Sequence, residues 1–356
     1  MEELKMNEQD VQEQSIDTTP DNTPLDKNVR LMSPTQMLLR RFFRSKLSIA
    51  GLVMVLSLFL FCFAGPLVYT QWGETELDKS GKTSYATTEV TYEVDGVTYV
   101  VQQTTETTLA DNFLSAPSAR HPLGTDDQGY DVMARLMYGG RVSLLVSFMT
   151  VFLLTLFGVL IGGIAGYFGG VVDNVIMRVC DVLICLPGIP ILLIVSSAID
   201  GWVALGRAQE DWRIYILMMF LTFISWPGTA RLVRGQILSL REQEYMVAAE
   251  AMGYSTGRKI FKHLVPNVMP QLIVQMSLSL GSMILYEASL SYLNMGIKAP
   301  YTAWGSMINI ITTNPEILQN HLYVWVPAGV CIVIAVLGFN FVGDGLRDAL
   351  DPKARR

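Results

Sequence analysis

Residues 244–267 read EYMVAAEAMGYSTGRKIFKHLVPN, a polar and helix-prone segment set between two long apolar runs. Tyr245, Ala248, Ala249 and Met252 recur at i, i+3, i+4 and i+7, the spacing that gathers small and medium apolar side chains on one helix face. Gly253 follows the last of them. A glycine at that point stops a helix, because it enters the left-handed region with no Cβ penalty. A second short helix is expected to restart at Ser255 or Thr256, to carry Ile260, Phe261 and Leu264 on its apolar side, and to end at Pro266. Arg258, Lys259 and Lys262 make its outer side basic. The unit is a helix-glycine-helix elbow, and composition alone equally allows an amphipathic stretch lying on a membrane surface.

The chain around the elbow is too apolar for a typical soluble protein: 51% of its 356 residues are hydrophobic and the mean hydropathy is +0.35. Six runs can cross a bilayer: Leu47 to Val68, Val142 to Tyr167, Val175 to Ile199, Ile214 to Leu232, Val268 to Leu293, and Tyr323 to Val342. Gly158, Gly162, Gly166 and Gly170 give the second run small-xxx-small faces for close packing. Pro187 and Pro190 interrupt the third. Basic residues sort with the elbow: Arg231, Arg234, Arg241, Arg258, Lys259, Lys262, Arg347, Lys353, Arg355 and Arg356 fall in segments on its side of the membrane, and Arg40, Arg41, Arg44 and Lys46 precede the first run. The positive-inside rule therefore places the elbow and both termini in the cytoplasm of a multi-pass membrane protein, in contact with lipid. The expected class is an all-α polytopic membrane protein with a small external β-hairpin.

Outside the spans, residues 1–32 are polar and acidic, lack the layout of a cleaved signal peptide, and read as a disordered cytoplasmic tail. An amphipathic lead with the first span occupies 33–68, an extracytoplasmic loop 69–140, a membrane-spanning core 141–343 with its elbow at 239–267, and a cytoplasmic C-terminus 344–356. Within the loop, Val90 to Val101 alternates around Asp95-Gly96, the strongest short-range hairpin signal. Ser80-Gly81-Lys82-Thr83 imitates the end of a phosphate-binding loop, yet Glu76 stands where the first glycine belongs and no helix pattern follows. Cys62, Cys180, Cys185 and Cys331 lie in apolar runs without CxxC spacing, and His121, His263 and His321 are scattered. No metal, cofactor, nucleic-acid partner or catalytic site is indicated.

The elbow resembles the "EAA" loop of importer-type ABC permeases on Ala248, Ala249, Gly253, Val265 and Pro266, although Val247 replaces the leading Glu and His263 replaces an aliphatic residue. Residues 121–144, 169–187, 287–307 and 343–355, with the 33–51 entry, resemble the C-type permease subunit of dipeptide and oligopeptide ABC importers. The resemblance implies six helices of the type I importer kind, a second homologous permease, two ATP-binding subunits and an extracytoplasmic peptide-binding protein. It also implies that Tyr245, Ala248, Ala249, Met252, Gly253, Ile260, His263 and Pro266 couple the permease to an ATPase groove. The chain has no GxxxxGK[ST] motif, so ATP hydrolysis is expected in a separate subunit. Nickel or another small solute is the alternative cargo.

An ion-coupled secondary transporter is the reading from a different class. It would need several buried carboxylates or inverted repeats, and Asp181 and Glu287 lie toward opposite ends of their spans. Arg178 and Asp181, about one helical turn apart, are read as a structural ion pair, with a proton relay as the alternative.

Overall fold

The computed structural model describes residues 34–78, 83–94, 97–108, 112–206 and 213–350. The expected tail at 1–32, the Asp95-Gly96 turn, the Ser80-Gly81-Lys82 stretch and the last six residues lie outside them. A short amphipathic helix α1 (Pro34–Phe42) leads into α2 (Lys46–Val68), whose start is capped by the Ser45 hydroxyl. Strands β1 (Thr83–Val94) and β2 (Val97–Thr108) follow, then α3 (Val132–Phe168), α4 (Gly170–Cys185), α5 (Gly188–Ala204) and α6 (Arg213–Arg241). The elbow helix α7 (Glu244–Ala251) precedes α8 (Thr256–Tyr292), and α9 (Trp304–Thr313), α10 (Pro315–Asn320) and α11 (Leu322–Leu350) complete the described chain.

Five of these helices are long and apolar enough to cross a bilayer, and α4 with α5, bent by 78°, make a sixth passage when taken as one span. Pro187 and Pro190 explain the bend: Pro187 precedes α5 in an extended conformation, and the residue before a proline is pushed out of the helical region. The expected second span begins ten residues early, at Val132. Asp131 fixes that start by accepting from the Ala134 N–H at 2.7 Å.

Helix α3 packs along α6, and α8 along α11, which also packs on α2. Three of the four small residues expected to line α3 make the first contact. A Cβ on Gly158 would stand 2.6 Å from Thr229 Cβ, one on Gly162 would strike the Ala230 carbonyl, and one on Gly166 would stand 2.9 Å from the Arg234 carbonyl oxygen. The fourth expected glycine, Gly170, differs: it has nothing within 4 Å and a φ of +53°, because it lies at the turn into α4. The main core joins Leu144, Leu154, Leu192, Leu221, Ile284 and Trp304. Large apolar side chains also point outward along the spans, among them Val53, Leu56, Phe152, Val179, Val182 and Ile194, as lipid-facing helices require.

Two π-helical turns interrupt the spans, Leu60–Ala64 in α2 and Lys259–Leu264 in α8. Each comes two residues before a proline, Pro66 and Pro266. In the first turn the carbonyls left without their usual donors are taken by Arg141, whose guanidinium donates to Cys62 O at 2.7 Å and Phe63 O at 2.9 Å. The hairpin is longer than the expected Val90 to Val101. Its antiparallel register runs from Thr83 opposite Thr108 to Val94 opposite Val97, because the β-branched and threonine-rich pattern continues on both sides.

At the hairpin end of the bundle, segments remote in sequence close on His121, which is 3% exposed. Its Nδ1 lies 2.8 Å from Asp131 and its Nε2 3.2 Å from Asp78, and Trp72 stacks on the ring at 4.7 Å. Asp78 also accepts from Arg120 at 2.9 Å, and Asp131 from the Tyr69 hydroxyl at 3.2 Å. This clasp fastens the chain after α2 to the start of α3.

Candidate functional site

The elbow forms where the sequence places it, between the fourth and fifth passages. Helix α7 ends at Ala251, and Gly253 adopts φ +70°. The Tyr254 N–H reaches back to Ala249 O at 3.2 Å and the Gly253 N–H to Glu250 O at 2.9 Å. These bonds make a Schellman closure, which requires a left-handed residue at the glycine position. A side chain there would meet nothing within 4 Å, so the demand for glycine is one of backbone conformation and not of space.

The four residues expected to share a face divide into two sets. Ala249 is 1% exposed, and the neighbouring Met246 packs against Val233 and Ile237 of α6 and Ile260, Leu264, Val268 and Leu272 of α8. Tyr245, Ala248 and Met252 point away from the bundle, with Val247 beside them at 63% exposed. Only Glu244 and Glu250 are charged in α7, so its apolar pattern runs nearly all round and cannot say which side turns inward. Phe261 is likewise exposed, contrary to its expected inward place, while Ile260 and Leu264 are buried.

The second helix does not stop at Pro266. It continues through the π turn, where the Val265 N–H bonds Ile260 O five residues back, and runs unbroken to Tyr292. Pro266 occupies the first turn of the α-helical stretch that follows, where its missing N–H costs least. The elbow is therefore rigidly joined to the fifth passage. His263 is half-buried and stacks on Tyr254 at 5.6 Å, with Arg258 over the other ring at 4.1 Å. Its Nε2 is buried with no hydrogen-bond partner among the described residues. Asn267 donates to His263 O at 2.7 Å.

Charged contacts tie this elbow end to its neighbours. Arg234 grips Asp173 with two bonds of 2.7 and 2.5 Å, and Arg241 donates to Tyr167 O at 2.8 Å. The expected Arg178–Asp181 pair is long, at 3.8 Å, with the Arg178 side chain 86% exposed. Asp181 has a shorter partner in Arg231 of α6 at 2.5 Å. The helix spacing brought Arg178 within reach, but tertiary packing supplied the better-placed guanidinium. The link across α4 and α6, invisible in local spacing, is the structural one. Glu287 is 5% exposed and accepts from Ser291 at 2.8 Å in α8, remote from Asp181, and no chain of ionisable groups joins the two among the described residues.

A bundle with six membrane passages, a helical elbow before the fifth and no phosphate-binding loop of its own is a permease moved by ATPases outside the chain. Residues 158–356 match the family described as binding-protein-dependent transport system inner membrane component, and residues 33–80 match the N-terminal TM domain of oligopeptide transport permease C. The chain belongs to this family of multi-pass inner-membrane permeases, whose ATPase activity resides in separate subunits and whose complex includes a binding protein. It is 34% identical over 336 residues to the dipeptide transport system permease protein of Alkalihalophilus pseudofirmus, covering 94% of this chain and 95% of that one. The dipeptide transport system permease protein of Bacillus subtilis is 37% identical over 325 residues, 91% and 88% of the two chains. The oligopeptide transport system permease protein of the same organism is 38% identical over 248 residues, 69% and 77%. Family membership agrees with the resemblance drawn from the sequence and sets aside the ion-coupled secondary transporter.

Proposed function

We propose that this permease imports short peptides, in partnership with a second homologous permease, two ATP-binding subunits and an extracytoplasmic peptide-binding protein. The observation that carries the cargo is the end-to-end similarity to chains named as dipeptide permeases, which includes the loop region between α2 and α3. The elbow and both termini lie in the cytoplasm, a reading supported by the basic residues of the elbow end. ATP-driven closure of the nucleotide-binding subunits pushes on the outward side chains Tyr245, Ala248 and Met252. The Gly253 closure keeps α7 at a fixed angle to α8. Met246 and Ile260, packed in one cluster, pass the push to α6 and α8, with buried Ala249 beside Met246 in α7 and His263 and Pro266 at the joint. Such coupling needs contacts that differ between the two states of the transporter, and an apolar face left outward on a rigid elbow can supply them.

The test is uptake in a strain lacking this gene. Restoring it should return accumulation of labelled di- and tripeptides, with nickel accumulation unchanged. Recovery of nickel uptake without peptide uptake would assign the chain the alternative cargo.

A further inference from the structure

A cavity of about 510 Å³ opens at the hairpin end, between the loop before α3, the end of α5 and the α8–α9 connection. Its walls carry charges of both signs. On one side Asp126 is paired with Arg135 and also accepts from the Gln128 and Tyr130 N–H groups at 2.9 Å, so its charge is accounted for. Arg135 is 8% exposed, lies over the Tyr130 ring, and leaves its Nε without a partner among the described residues. Asp127, half-buried beside this pair, takes up no described cation at bonding distance, and burial together with the neighbouring Asp126 pushes its carboxyl up from the ordinary range. A carboxylate so placed is relieved by a cation.

The lining also holds Lys298, with its side chain 44% exposed and its Nζ 2.6 Å from Asp200. Asp200 also receives buried Arg213. Lys298 can therefore turn to an incoming carboxylate while Asp200 keeps an ionic partner. The lining also includes Ser306 and Thr313, whose hydroxyls donate to Ala303 O and Ile310 O, and the aliphatic side chains of Val132, Ile297 and Ile310. The volume lies within the usual range for small-ligand pockets.

We propose that this cavity is a transit site for a short zwitterionic peptide, with the α-ammonium held at Asp127 and the α-carboxylate at Lys298. The inference rests on the peptide-import reading and on the outward orientation of the hairpin end. It gives the permease its own check on free peptide termini, separate from that of the binding protein. A chain end blocked by acetylation or amidation loses one pole. An unblocked dipeptide or tripeptide keeps both.

The test uses the complete permease with its ATP-binding subunits in lipid nanodiscs, without the binding protein, and labelled trialanine as probe. Asp127→Asn should weaken trialanine binding by about tenfold or more, the loss of one ionic contact, and leave binding of N-acetyl-trialanine as it is in the parent complex. Lys298→Gln should weaken trialanine but not trialanine amide. Size-exclusion profiles and basal ATP hydrolysis identify any variant that fails to assemble, and Asp127→Glu, which keeps the charge, should restore the preference. Equal binding of free and capped trialanine by the parent complex, or no binding of either, overturns the site. Cellular trialanine uptake separates the two ideas. Uptake without terminus selectivity in the nanodiscs sinks the cavity proposal alone, whereas no peptide uptake in cells sinks the cargo reading beneath it.

Discussion

The elbow and the outer clasp are built on opposite plans. Around His121 the chain satisfies itself: His121, Asp78 and Asp131 leave no buried polar atom without a partner among the described residues, and Trp72 closes the ring face. At the elbow the chain stops short. Val247, Met252 and Phe261 stay outward and exposed, and buried His263 Nε2 has no partner among the described residues. Neither region is loose, since α7 is closed by two backbone bonds and anchored through Met246 in the α6–α8 cluster. The difference shows that an element can be fully ordered and still incomplete. The clasp needs only its own chain. The elbow leaves apolar side chains outward, the face proposed above to meet an ATP-binding subunit.

Breaking the elbow should give the largest effect. Gly253→Val places a branched side chain at φ +70°, a conformation that costs a non-glycine residue about 1 kcal/mol or more, and the Schellman closure gives way. The variant should reach the membrane at near-normal amount, because nothing crowds the site. Peptide uptake should fall to background, and loaded binding protein should no longer stimulate ATP hydrolysis in reconstituted complexes. Normal stimulation and uptake would remove the coupling role assigned here.

The clasp should answer in stability and not in coupling. His121→Phe keeps the ring stack on Trp72 but withdraws a partner from each of two buried carboxylates, at a cost of about 2–3 kcal/mol. Thermal unfolding in detergent should shift downward, while the surviving folded complex retains its ratio of uptake to ATP hydrolysis. A changed ratio with unchanged melting would erase the contrast between the two regions.

A smaller effect is expected from removing residues 85–105 behind a short Gly-Ser bridge. Ser84 and Thr107 stand opposite each other in the ladder, so the gap closes without pulling on the bundle. Membrane insertion should persist, and uptake at limiting binding protein should drop a few-fold if the hairpin helps delivery. Failure to insert would show that the hairpin belongs to the fold and not to the docking of a partner.

The smallest effect lies in the pH dependence of the clasp's neighbour Glu74, which accepts from the Thr302 N–H at 3.0 Å and whose carboxyl burial pushes up from its ordinary value. A raised carboxylate binds its proton more tightly in the folded chain, so its favourable contribution is present at low pH and fades as pH rises through the raised value. Glu74→Gln, which keeps an acceptor for Thr302, should flatten that part of the melting-versus-pH curve slightly. A curve that keeps its slope would assign the titration elsewhere.

The parts of this molecule that sequence reading reached are those governed by neighbours along the chain. Gly253 was legible because a helix end asks for a left-handed residue, and the spans because a bilayer asks for length and apolarity. Hidden were the features assembled across distance. His121 lies 43 residues from Asp78 and 10 from Asp131, so it looked like one of three scattered histidines. Asp181 showed a local partner in Arg178 and concealed the better one, Arg231. The inward set of α7 could not be separated from the outward set, because apolar residues surround that helix and only packing against Val233 and Ile260 selects Met246. Helix α9 was missed because its ten residues are too few for a span, although Trp304, fully buried with its indole N–H on Leu136 O at 3.0 Å, is an anchor that length alone does not advertise.

The two π turns have a consequence for how the chain can change length. A turn closed by bonds to the fifth residue back contains an extra residue compared with an α-turn, while side chains in a regular α-helix advance about 100° per residue. A single-residue deletion inside Val142–Leu154 would rotate everything beyond it by that angle and tear the Gly158 and Gly162 seam from α6. Inside Lys259–Leu264 the same deletion only uses up the surplus, and the faces of Val268 and Leu272 keep their bearing. A one-residue change of length in this chain therefore has room at such turns, where the flanking prolines mark the place.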